Sequence, residues 1–79
     1  MLTEEKYKNF LASELFLARK KSKLTQDNVA DILVDKYKIR ANRTTIAKYE
    51  NGLQTPPLYT LQCLSNIYNC EIINFFHNI

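Results

Sequence analysis

The sequence predicts an all-α protein, a compact bundle of five short helices in one domain. Three observations carry that expectation. The chain has one glycine and two adjacent prolines in 79 residues, so turn formers are scarce and helices with short connections are favoured. Apolar residues recur at three- and four-residue spacing, the period of a helix with one buried face. Side chains suited to capping stand in front of three of these stretches. With 46% hydrophobic and 24% charged residues the composition is globular rather than disordered, and residues 1–79 make a single domain with an adequate but modest core.

The first helix is expected over 4–21. Thr3 can cap it, and Glu4 and Glu5 in its first turn suit the helix dipole. Tyr7, Phe10, Leu11, Glu14, Leu15 and Ala18 then form a stripe at helical spacing, and Lys20, Lys21 and Lys23 follow at the end where cations are favoured. A second helix, 26–37, starts behind Thr25, with Asn28 where a capping box would carry Glu or Gln. Val29, Ile32, Leu33 and Tyr37 supply its apolar face. Asn42 caps a third helix, 43–51, which Gly52 can end in the left-handed conformation. Pro56 and Pro57 forbid helix before them and favour a start just after. Leu58, Leu61, Leu64, Ile67 and Tyr68 make the fourth helix, 58–68. A short fifth helix, 71–77, would bury Ile72, Phe75 and Phe76.

Two side chains do not fit this scheme. Phe16 and Leu17 fall outside the stripe of the first helix. Either the second helix covers them, which is the expectation favoured here, or they form a contact surface for another chain.

Charge is segregated along the chain. All eleven Lys/Arg lie in residues 1–48 with six acids, whereas residues 49–79 carry only Glu50 and Glu71. No acid occurs from Lys36 to Lys48. A basic half suggests a polyanionic partner on one face, although a merely solvated surface has the same composition.

Several classes of chemistry find no support. No apolar run is long enough to span a bilayer, and the N-terminal MLTEEKYK lacks the apolar stretch of a signal peptide. Cys63 and Cys70 are too few to staple a secreted scaffold and fit no metal spacing, so a reduced, cytoplasmic setting is expected, with Cys63 a free thiol on the outer side of the fourth helix. His77 is the only histidine and has no evident partners for a metal or catalytic role. A lone glycine cannot build a phosphate-cradling loop, and no nucleophile has a visible base. No cofactor and no enzymatic activity are expected.

The third helix carries the most specific signal. On a wheel of about 100° per residue, Thr45, Ile46 and Tyr49 share one arc, and Arg43, Thr44, Ala47, Lys48 and Asn51 share the opposite one. The first is a packing face. The second is small, cationic and rich in hydrogen-bonding groups. Arg can fork onto guanine O6 and N7, Lys can reach the same acceptors, and Thr can bond a base edge or touch a thymine methyl. A solvated amphipathic helix is the alternative.

From Leu17, the stretches L-A-R-K-K-S-K-L-T-Q-D-N-V-A-D-I-L, N-R-T-T-I-A-K-Y-E-N-G and T-P-P-L-Y-T-L-Q-C-L together resemble the helix-turn-helix domains of the lambda repressor and Cro (XRE) family, over about residues 10–76. The resemblance implies a lambda-repressor-like bundle. It assigns base contacts to Arg43, Thr44 and Lys48, a phosphate anchor to Gln26, backbone contact to Asn51, and core positions to Ala30, Ile46 and Leu64. Arg19 and Glu50 match a partly buried ion pair. Both lie near the inward faces of their helices, where a carboxylate needs a partner such as a bidentate guanidinium. The sixteen residues from Ala30 to Ile46 exceed the family's usual spacing. The extra stretch is expected to lengthen the second helix to Tyr37 and add a loop through Ala41. Lys36, Lys38 and Arg40 in this stretch, and Thr25, are expected to add phosphate contacts, with a solvated charge run as the alternative for the three cations.

The expected function is therefore that of a bacterial or phage transcriptional regulator, a repressor binding a double-stranded DNA operator as a homodimer. Pairing is expected through Thr55–Tyr59 and Asn69–Ile73, with Leu58, Tyr59 and Ile72 exposed. The alternatives are an antitoxin of the same fold, with a toxin as protein partner, and a protein-interaction module that has lost DNA binding.

Overall fold

Three of the four α-helices among the described residues begin where a side chain can satisfy the first free N–H groups. In a computed structural model, which describes residues 3–76, Thr3 Oγ1 accepts from the Lys6 N–H and opens α1, Glu4–Lys21. Thr25 and Asn28 cap each other reciprocally at the start of α2, Gln26–Tyr37, and Asn42 and Thr45 do the same for α3, Arg43–Glu50. Asn28 and Thr45 thus fill the place of the usual Glu or Gln in the capping box. The last α-helix, α4, Leu58–Ile67, follows Pro57 with no side-chain cap, consistent with the missing N–H and preset φ of proline.

The helix ends explain how the chain manages with one glycine. After α1, the Lys23 N–H bonds the Lys20 carbonyl and the Leu24 N–H bonds that of Arg19. After α3, Gly52 and Leu53 bond Tyr49 and Lys48, and after α4, Asn69 and Cys70 bond Asn66 and Ser65. All three are Schellman ends, which need a left-handed residue. Lys23, Gly52 and Asn69 supply it, with φ of 59°, 73° and 53°. Lys38 (φ 58°) ends α2 differently, because the Leu33 carbonyl accepts from both Lys38 and Ile39.

The stripes meet in one core. Leu11 and Leu15 of α1, Val29, Ala30 and Leu33 of α2, Ile46 and Tyr49 of α3, and Leu61, Cys63 and Leu64 of α4 are buried together with Tyr68 and Phe75. α3 packs against both α1 and α2, and α2 against α4. The radius of gyration, 11.8 Å, is that of a compact chain of this length, about 12 Å. No strand occurs among the described residues.

Four expectations need correction. In place of an α-helix over 71–77 there is a single 3-10 turn, Ile72–Phe75, and His77 lies outside the described residues. A segment this short, with two β-branched residues and no capping side chain, cannot offset the cost of nucleating an α-helix. The turn packs on α1 and α4, with Phe75 buried and the Tyr7 hydroxyl donating to the Phe75 carbonyl at 3.2 Å, while Phe76 is exposed. Cys63 is a core residue rather than an outward thiol. Phe16 and Leu17 are not covered and remain exposed, the Phe16 ring having the Arg19 guanidinium and the Lys20 ammonium each 5.6 Å from its centre. Finally, Ile72 is half-buried, and the exposed apolar side chain of that turn is Ile73.

Candidate nucleic-acid interface

α3 divides its residues cleanly. Ile46 and Tyr49 are buried, Thr45 is occupied in the cap, and Ala47 is half-buried. Arg43, Thr44, Lys48 and Asn51 are exposed. Among the described residues, none of these four side chains makes an intramolecular hydrogen bond or ion pair. Their donors are therefore free for an outside partner.

The helix is held by a carboxylate that serves three elements. Arg19 Nε donates to Glu50 Oε2 at 2.7 Å and Arg19 Nη2 to Glu50 Oε1 at 3.0 Å, while Nη1 donates to the Leu24 carbonyl at 3.0 Å. Gln26 Nε2 adds a bond to Glu50 Oε1 at 3.1 Å. The end of α1, the start of α2 and the end of α3 are joined through this group. The pair is shielded, with side chains 9% and 4% exposed. The hydrogen bond to Glu50 is the main cause that raises the Arg19 guanidinium above its ordinary value, against the opposing effect of burial.

Gln26 is therefore a bridging residue as well as a candidate phosphate anchor. Its amide nitrogen must face Glu50, since a carboxylate only accepts. One of its two N–H groups is used there, and the other remains for a second acceptor. Beside it, Lys20, Lys23, Thr25, Gln26 and Arg43 line an open cleft where the end of α1 meets the starts of α2 and α3. The first N–H groups of α2 and its dipole favour an anion there, although Asp27 also borders the cleft. Lys20 and Lys23 join this group only in three dimensions. In the sequence their cluster signals no more than a favourable helix end.

The connection between α2 and α3, residues 38–42, carries two further cations. Lys38 is exposed and donates from Nζ to the Asp35 carbonyl at 2.9 Å, and Arg40 is exposed. Lys36 stands over the Tyr37 ring, 5.5 Å from its centre. Nothing acidic occurs in the sequence between Asp35 and Glu50, while Lys36, Lys38, Arg40, Arg43 and Lys48 do.

No protein-family model matches the chain, and neither a curated protein nor a solved structure matches it. No helix among the described residues is long and apolar enough to cross a membrane.

Proposed function

We propose that the chain is a sequence-specific DNA-binding regulator, with α2 and α3 acting as a helix-turn-helix of the XRE type and α3 entering the major groove. The observation that carries this reading is the free face of Arg43, Thr44, Lys48 and Asn51 on a helix anchored from behind by Arg19 and Glu50. An α-helix with its side chains is about 10–12 Å across, which fits a major groove about 12 Å wide. Arg43, Thr44 and Lys48 take the base edges. Thr25, Gln26, Asn51, Lys38 and Arg40 hold phosphates, which fix register without reading sequence.

One such helix covers few base pairs, so the regulator acts as a homodimer on two half-sites. Leu58 and Tyr59 on α4, with Ile73, are the exposed apolar side chains suited to pairing. The exposure of Phe16 and Leu17 favours a second reading, an antitoxin that also grips a toxin through α1. Co-expression with the neighbouring gene product distinguishes it, since a toxin would be neutralised by the chain and not by a Phe16→Asp variant.

Salt dependence tests the DNA reading. Log affinity for a fluorescent duplex is expected to fall linearly with log salt, with a slope near −0.9 for each of roughly 4–7 phosphates per protomer. A flat dependence, or no binding at low salt, would contradict it.

A further inference from the structure

We propose that Phe16 is a positioning residue for α3, acting through the Arg19 guanidinium that anchors that helix. This role rests on the DNA reading only in its last step, from a well-held α3 to binding. Phe16, Arg19 and Lys20 stand three and four residues apart on α1, the spacing at which helix side chains meet. One ring therefore serves two cations. Arg19 Cζ and Lys20 Nζ each lie over it, 5.6 Å from its centre, inside the distance of about 6 Å at which the negative face of a ring attracts a cation.

The two cations differ in their surroundings. Lys20 is exposed, whereas Arg19 is 7% exposed and its ring neighbour 41%. The Phe16 ring thus lies on the solvent side of the guanidinium. Hydrogen bonds hold only the edges of that group: Nε and Nη2 donate to Glu50, and Nη1 donates to the Leu24 carbonyl. All guanidinium N–H groups point outward in its plane, so these bonds leave its faces uncovered. An aromatic ring on that side excludes water and adds an attraction that strengthens as water is removed. A leucine at the same place would exclude water without attracting the charge.

The effect is carried to α3 by Glu50. It is the last residue of α3, next to Asn51 and two residues beyond Lys48. Loosening Arg19 therefore frees the end of the helix that presents those two exposed side chains. Lys20 extends the same influence to the other end, because it borders the cleft that Gln26 and Arg43 also line. Phe16 does not line that cleft and acts through the cations it holds.

Solvent exchange of the Arg19 Nε–H, followed by NMR in the isotope-labelled full chain without DNA, tests the first step. Phe16→Leu should speed it by about fivefold, as expected of a local opening. Phe16→Tyr keeps the ring and should leave it unchanged. Backbone amides in the core of α4 should exchange alike in both variants, which separates local loosening from loss of fold. In the second step, Phe16→Leu should bind the preferred duplex about threefold more weakly, the size of one cation–π contact, and Phe16→Tyr should bind it like the unaltered chain. Unchanged Nε–H exchange in Phe16→Leu, or equal acceleration in Phe16→Tyr, would overturn the proposal, and so would faster exchange with undiminished DNA affinity. An unaltered chain that binds no duplex contradicts the DNA reading instead, and the exchange rates then decide by themselves whether Phe16 holds Arg19.

Discussion

Glu50 accepts two hydrogen bonds from Arg19 and one from Gln26, so removing any partner exposes a buried charge to an unfavourable setting. Arg19→Ala should cost on the order of 3 kcal/mol, because breaking a buried pair leaves its other half uncompensated. Glu50→Gln should cost less when combined with Arg19→Ala than the sum of the two single changes. Urea melts of the cycle check this, and additive effects would mean the pair contributes nothing. Tyr68 allows a second test at this scale. Burial is the largest cause that raises its phenol well above the ordinary value, with Glu50 adding to it. The folded state thus holds the proton more tightly than the unfolded state, whose tyrosines titrate near pH 10. This contribution is whole below about pH 10 and is lost as pH rises through the folded value. Stability should therefore fall in alkaline melts, and less steeply in Tyr68→Phe. Tyr7 and Tyr49, also raised by burial, keep part of the slope. An identical profile for Tyr68→Phe would remove Tyr68 from the account.

At the scale of elements, α1 to α3 were legible because each has a capping side chain in front and an apolar stripe behind it, and α4 because the two prolines that mark its start agree with its stripe. The C-terminal turn was not, because its apolar residues suit either an α-helix or a 3-10 turn, and only nucleation cost separates them. The misplacement of Cys63 has a similar origin, since a thiol carries no strong polarity signal and behaves as a small hydrophobe when buried. Nor does the sequence mark Lys23 or Lys38 as left-handed, a conformation that lysine adopts only when the surrounding bonds require it. The connection after α2 turns this to use. In Lys38→Gly the left-handed cost, about 1–2 kcal/mol, is relieved, partly offset by the entropy of glycine in the unfolded chain. The melting temperature should hold or rise, while affinity for every DNA sequence drops about equally and the salt slope shrinks by about one. A selective loss on the preferred site would mean that Lys38 reads rather than holds.

The whole molecule divides its labour by charge. The first 48 residues carry every cation, and the rest supply α4, the turn and most of the exposed apolar side chains. On this account the basic half meets DNA and the other half pairs with a second copy, while α3 sits where the two requirements meet. The exposed face of α3 could be read from its 100° periodicity and the Arg19–Glu50 pair was expected from the sequence, but the Gln26 bridge was not, because Gln26 reaches Glu50 only once α2 and α3 are packed. Binding of Arg43→Ala to the preferred duplex and to scrambled DNA tests the central claim most directly. If α3 reads bases, the substitution should cost about 1–3 kcal/mol on the preferred site, relax the choice at one position per half-site, and leave most scrambled binding intact. Equal losses on both duplexes would contradict the account and reduce α3 to a basic surface.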